Sequence, residues 1–336
     1  MNIEWDKLGF QFTPTRSNIR FHYADGKWSD GELTGDYNIS ISVAANVLHY
    51  GQAAFEGLKA FACKDGKVRI FRPQENARRL NSSARQLVMA EFPEEKFVEA
   101  VRTVVRDNID YVPPYGTGGS LYIRPVLFGT QPQIGVNPSN EYELVIMVMP
   151  VGPYYKGGIK PVDAMISMDF DRAAPQGTGH IKAAGNYAAS LLSSKICKEV
   201  HHCPVALFLD PASHTYVDEF STSNFLAITK DGKYVTSQSK SILPSVTNKS
   251  LMTVAEDLGM QVERRPVRAD ELESFTEVAA CGTAVVLTPV GRIFFGDKVI
   301  DYKWTEIGPS LKKLYDRLTG IQYGEVEDTH NWMVEV

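Results

Sequence analysis

Residues 150–158 place two prolines and three glycines in nine positions: Pro150, Gly152, Pro153, Gly157 and Gly158. Proline fixes φ and removes a backbone donor, and glycine frees the backbone. Such a stretch interrupts helices and sheet ladders alike. The chain therefore reads as two lobes, 1–150 and 159–336, joined by a linker over 151–158. With 336 residues in all, each lobe has ordinary domain size.

The first lobe reads as hairpins with two helices. Asp25-Gly26, between the alternating residues of 20–34, is a hairpin signal, and Asp65-Gly66 repeats it between 59–62 and 68–71. After Pro73, the small or apolar residues Ala77, Leu80, Ala84 and Leu87 recur at helical spacing, which predicts a helix over 74–87. A second helix is predicted over 94–111, with Phe97, Val101, Val104 and Ile109 on one side. Strands follow over 120–128 and 142–150. The second contains the apolar run 144–149, the mark of a strand buried on both faces.

The second lobe mixes strands (162–168, 205–210, 225–229, 278–282 and a hairpin in 292–301) with helices over 187–200, 245–258 and 309–319. The fold class is α+β, or mixed α/β, without a regular βαβ repeat.

Composition removes several functions. A net charge of −5 argues against nucleic acid or an anionic membrane as the main partner. No window approaches the ~20 apolar residues of a membrane span, and residues 1–10 do not read as a signal peptide. Cys63, Cys197, Cys203 and Cys281 form no metal-like spacing, so they read as reduced thiols in a cytoplasmic protein, with no metal expected.

The chemistry concentrates in 177–187, where Lys182 sits among small residues as a loop turns into a helix. A cation at a helix start is electrostatically unfavourable. The amine there is either a surface charge or a group kept for attack on a carbonyl. The phosphate-loop pattern fails, since Ala183 follows the lysine, and no dinucleotide fingerprint is present. Glu219 ends one strand before a hydroxyl- and amide-rich bend. Ser245-Val246-Thr247 opens a helix whose free amides suit an anion. Arg79 lies on the helix after Pro73, where it is either solvated like Arg78 or a phosphate ligand. Tyr122 and Arg124 share one face of a strand.

Taken in order, several segments carry a resemblance: His49-Tyr50, 55–61 (Phe-Glu-Gly-Leu-Lys-Ala-Phe), 120–125, 150–154, 177–187, 219–224, 243–247 and 282–284. They resemble the class IV, or fold-type IV, aminotransferases that use pyridoxal 5′-phosphate (PLP), and among these the branched-chain amino acid branch. The resemblance runs from about Leu8 to Tyr323 and implies a small and a large domain, the latter holding PLP.

The resemblance also implies roles. Lys182 would carry PLP as a Schiff base and serve as the proton-transferring base. Glu219 would pair with the pyridine nitrogen, and Tyr187 with the phenolic oxygen. Arg79, Val246, Thr247 and Thr283 would hold the phosphate, and Leu243 would pack on the ring. Tyr122, Arg124, Thr283 and Ala284 would meet substrate carboxylates. Tyr50, Phe55 and Tyr154 would wall an apolar pocket. The reaction implied is exchange of an amino group between leucine, isoleucine or valine and 2-oxoglutarate, in a homodimer. Related members act on D-amino acids or cleave aminodeoxychorismate, and a non-catalytic PLP-binding protein is a further alternative. The segment after Thr283-Ala284 lacks the CxxC of some relatives, and Ala184 stands where others carry glycine. Residues 324–336 match nothing in the family pattern.

Overall fold

The computed structural model describes residues 3–153 and 158–336. The strands, in chain order, begin with β1 Asn18–Ala24, β2 Lys27–Trp28 and β3 Glu32–Thr34. Helix α1 is Asn46–Tyr50, followed by β4 Ala53–Phe55, β5 Leu58–Ala62 and β6 Val68–Phe71. Helices α2 Pro73–Gln86 and α3 Glu94–Asp107 precede the long strands β7 Ser120–Gly129 and β8 Tyr142–Val151. Next come β9 Val162–Ser167, α4 Ala184–Ala189, α5 Leu191–Glu199, β10 Val205–Leu209, β11 Val217–Phe220, β12 Ser223–Ile228 and β13 Tyr234–Ser237. The rest are α6 Val246–Asp257, β14 Val262–Arg265, β15 Glu277–Gly282, β16 Val286–Phe295, β17 Lys298–Asp301, α7 Pro309–Gln322 and β18 Met333–Glu335.

The chain forms two compact units. Unit 1 comprises Met1–Tyr154, Ile181–Gly185 and Gly320–Val336; unit 2 comprises Tyr155–His180 and Asn186–Thr319. This corrects the division at 151–158 in two places. Ala183 bridges to Ala54, and β18 pairs antiparallel with β6, so both later segments are stitched to the first lobe. The pairings are long-range and leave no local mark. The last residues, silent in sequence, form an edge strand beside Trp332, whose ring lies 4.7 Å from the Arg72 guanidinium.

Unit 1 holds a nine-stranded sheet in the order β18-β6-β5-β7-β8-β1-β2, with β3 on β1 and β4 on β7. Its strand pairs are antiparallel. Leu144, Ile146 and Val148 of β8 point into the core with Phe21, Phe97, Val101 and Leu121. The alternate residues of β8 are half-buried. The expectation of two buried faces is thus corrected to one covered face, as an antiparallel sheet permits. Ile109 falls beyond the end of α3 and is exposed, because the helix stops at Asp107.

Helix α2 starts with Pro73 at its first position, where the missing N–H costs nothing. Ala77, Leu80 and Ala84 are buried along one stripe. That stripe decides between neighbouring arginines: Arg78 faces out, beside Glu75 and Glu94, while Arg79 is turned inward.

Unit 2 is a mixed sheet in the order β11-β10-β9-β16-β15-β12-β13-β14, with β17 on β16. A β11–β12 pairing closes its first six strands into a ring. Phe220, Phe225, Leu207, Val235 and Val278 belong to its core. The helix expected over 187–200 is two helices, α4 and α5, that meet at Ser190. Among the described residues no helix is long and apolar enough to cross a membrane.

Candidate active site

Unit 1 brings together Lys182, Phe55, Tyr122 and Arg124. Their elements explain why. β4 and β5 both pair with β7, and the extended chain at 182–183 lies against β4. The Phe55 amide donates to the Lys182 carbonyl at 3.2 Å. The Lys182 amide donates to Ser83 Oγ, on α2, at 3.0 Å. The half-buried Lys182 side chain places Nζ 4.7 Å from the centre of the Phe55 ring. The Arg124 guanidinium lies 4.9 Å from the same ring, and its Nη2 donates to the Tyr122 hydroxyl at 2.9 Å. Period-two alternation on β7 produces that last pair.

Gly57 is required by the close approach of Tyr122, since a Cβ there would collide with the Tyr122 hydroxyl. Tyr50 is not drawn into this group. It is exposed, and its hydroxyl donates to the carbonyl of Ile134. Tyr154 lies outside the described residues.

Arg79 makes a two-point ion pair with Glu56. Nε donates to Oε1 at 2.8 Å and Nη2 to Oε2 at 2.7 Å. Glu56 is fully buried and was not singled out from sequence. The signal was present: a carboxylate between Phe55 and Gly57-Leu58, in an apolar setting, needs a cationic partner.

Unit 2 assembles a second group around Glu219. The short β11–β12 connection sets Glu219 opposite Asn224. The buried Glu219 carboxylate accepts from Asn224 Nδ2 at 2.6 Å and from the Leu243 amide at 3.0 Å, and it forms an ion pair with Arg172, whose Nη2 lies 2.8 Å from Oε1. Burial pushes its carboxyl from an ordinary 4.5 up to about 7, and the Arg172 guanidinium, the Leu243 amide and Asn224 oppose that rise. Asp218, next along β11, is also buried and accepts from Ser241 Oγ; burial raises its carboxyl too. Two buried carboxylates and one guanidinium leave this cluster short of positive charge.

Arg172 was missed from sequence, because no local pattern marks it between the strand at 162–168 and the glycine-rich segment at 177–187. Its Nη2 also donates to the Gly179 carbonyl at 2.6 Å and to the Ser241 carbonyl, so it ties the approach to Lys182 to the Leu243 segment. Gly179 has no room for a side chain: a Cβ would run into the Ser241 carbonyl oxygen and lie 2.8 Å from Arg172 Nη2. Gly179→Ala is expected to destabilise by ~1–3 kcal/mol, read as a lower unfolding midpoint in urea with an unchanged m-value.

Helix α6 begins nearby in sequence. Ser245 is its N-cap and accepts from the Asn248 amide. The amides of Val246 and Thr247, both buried, have no intrahelical acceptor by helix geometry. Asn224 Nδ2 donates to the Leu243 carbonyl at 3.1 Å, and Asn224 pairs in register with Cys281. The turn at Thr283-Ala284 therefore follows directly on the Glu219 segment. Val286 closes this turn at φ 67°, a left-handed conformation rare for a β-branched residue. Tyr187 is half-buried on α4, and Thr178 is tied to Asn186 by two hydrogen bonds of 2.7 Å.

These groups fit PLP. The carboxylate-rich cluster at Glu219 calls for a cation such as a pyridinium. Within unit 2 the α6 start suits an anion, and within unit 1 Arg79 does so by its own guanidinium. Lys182 supplies the amine.

Unit 2 thus offers a buried carboxylate cluster and a helix start with free amides, and unit 1 a lysine on an extended segment; the amino-transferase class IV model matches residues 53–293. The chain belongs to that family. It is 45% identical over 342 residues to a branched-chain-amino-acid aminotransferase of Haemophilus influenzae, covering 100% of this chain and 99% of that one. The crystal structure of the Escherichia coli branched-chain amino acid aminotransferase superposes with a TM-score of 0.78 at 28% identity, over 93% of this chain and 98% of that one. The branched-chain amino acid aminotransferase of Thermobaculum terrenum, in its PLP form, gives 0.79 at 25% identity, over 96% of this chain and 99% of that one.

Proposed function

We infer that this chain is a PLP-dependent aminotransferase that moves the amino group of L-leucine, L-isoleucine or L-valine to 2-oxoglutarate. The observation that carries the reading is Lys182, moored through its own amide and carbonyl so that Nζ lies over Phe55, the ring that Arg124 also meets. When bound, PLP supplies the electron sink that makes the substrate's α-proton removable. Lys182 Nζ takes that proton and later returns one, which is acid–base work at short range. Glu219, braced by Arg172, Asn224 and the Leu243 amide, holds a proton on the pyridine nitrogen. Tyr187 is assigned to the phenolic oxygen and Leu243 to the ring face. Arg79, Val246, Thr247 and Thr283 are assigned to the phosphate.

Phe55 and Tyr122 offer an apolar wall for an aliphatic side chain. Arg124 is the cation for the second carboxylate of glutamate, and Thr283 and Ala284 serve the α-carboxylate. A donor panel with 2-oxoglutarate tests the assignment. L-Leucine, L-isoleucine and L-valine should all turn over, and preference for D-alanine overturns the substrate class. In the same panel Arg124→Gln should raise KM for 2-oxoglutarate by about tenfold or more, against less than about threefold for L-leucine, because leucine has no distal carboxylate to lose.

A second copy of the chain is the partner proposed. Residues 43–48, which run into α1, and the neighbouring loop 132–136 of unit 1, joined by the Ala45–Pro132 bridge, expose Val43 (87%), Leu48, Ile134 and Val136 (81%). Exposed apolar side chains gathered on adjacent segments favour an interface, and Tyr50 beside them would then wall the partner's pocket. Free, buried cysteines accord with a cytoplasmic setting.

A further inference from the structure

We propose that Glu56 is a positioning residue for the cofactor's phosphate: it fixes the plane of the Arg79 guanidinium and couples it to the mooring of Lys182. The proposal rests on the PLP reading above and deepens it.

Every oxygen of the Glu56 side chain is committed. Oε1 accepts from Arg79 Nε at 2.8 Å, and Oε2 accepts from Arg79 Nη2 at 2.7 Å, Asn76 Nδ2 at 2.8 Å and the Gly57 amide at 3.2 Å. Its own amide donates to the Pro125 carbonyl at 2.9 Å, so the carboxylate is anchored to β7 and to α2 together. A fork-to-fork pair through Nε and Nη2 leaves the guanidinium one orientation and turns its Nη1 end away from the carboxylate. A phosphate held by Arg79 would meet a guanidinium whose orientation need not be ordered on binding.

The same pair spans both attachments of Lys182. Phe55, whose amide binds the Lys182 carbonyl, is the residue before Glu56. Ser83, whose Oγ accepts from the Lys182 amide, also donates to the Arg79 carbonyl at 3.1 Å. Glu56 and Arg79 therefore hold β4 and α2 at the separation that Lys182 bridges. Full burial of the carboxylate means that water cannot replace either partner.

The test compares PLP with pyridoxal, which lacks the phosphate, on the cofactor-free full chain by equilibrium dialysis. Glu56→Gln keeps the volume and loses the charge. It should weaken PLP by about tenfold or more and pyridoxal by less than about twofold, and it should add nothing to phosphate discrimination in an Arg79→Ala background. Glu56→Asp keeps the charge but shortens the arm. It should show the same phosphate-selective loss and serves if Glu56→Gln does not fold. Equal weakening of both ligands in step with a lower Tm makes the pair a packing element and overturns the proposal, as does unchanged discrimination. Wild-type protein that binds neither ligand overturns the functional reading, and this one with it; discrimination by the wild type that persists in both Glu56 variants overturns this one alone.

Discussion

Lys182→Ala should lower kcat for L-leucine and 2-oxoglutarate by about a thousandfold or more, with the protein still folded. The size follows from the loss of a positioned acid–base group, worth about 10²–10⁴-fold, together with the covalent anchor of the cofactor. The fold should survive because the mooring uses the Lys182 backbone: its amide reaches Ser83 and its carbonyl receives the Phe55 amide, and alanine keeps both. The measurement pairs steady-state kinetics with the visible absorbance of protein incubated with PLP. The wild type should develop a band that the variant lacks. A variant with wild-type turnover would remove Lys182 from the chemistry.

Glu219→Gln should lower kcat by about 10²–10³-fold and flatten the pH dependence of stability. The carboxylate is the charged partner assigned to the pyridine nitrogen, and an amide cannot supply that charge. The stability effect has a definite sign. The folded-state value, about 7, lies above the ordinary 4.5. The group's favourable contribution is therefore present in full below about pH 4.5 and is lost as pH rises through 7, a change of ~3 kcal/mol. In the cofactor-free protein, the unfolding midpoint should fall across this window more steeply in wild type than in Glu219→Gln. Parallel profiles would show that Arg172 already neutralises the site.

Much of the fold was open to the sequence. The Asp25-Gly26 and Asp65-Gly66 turns, the stripe Ala77-Leu80-Ala84 and the Ser245 cap are local signals, and each element formed where its own residues favoured it. The failures have one character. Residues 109–111 share the apolar content of α3 but not its path, because Asn108 ends the helix, with its amide side chain buried against Ser17 and Val104. Ser190 divides the expected single helix in two.

The site was legible in type but not in partnership. Lys182 stands out because a cation at a helix start conflicts with local preference, whereas Glu219 and Arg79 gained their roles only through the resemblance. Arg172 does not stand out locally, and Glu56 shows only that a carboxylate in an apolar setting needs a cation, not which one. Their meaning lies in residues 23 positions away for Glu56 and Arg79 and 69 positions away for Arg172 and Ser241.

The sequence by itself determined the α+β class and many of the local elements, because turn chemistry, periodicity and caps act over a few residues, and the order of its motifs carried the family resemblance. Only the tertiary structure decided which of Arg78 and Arg79 turns inward, that 181–185 and 320–336 join the first unit, and that Glu56 and Arg172 hold Arg79 and Glu219 in place. These are choices of burial and long-range pairing. A charged side chain enters the interior only where a partner from a distant segment compensates its lost hydration.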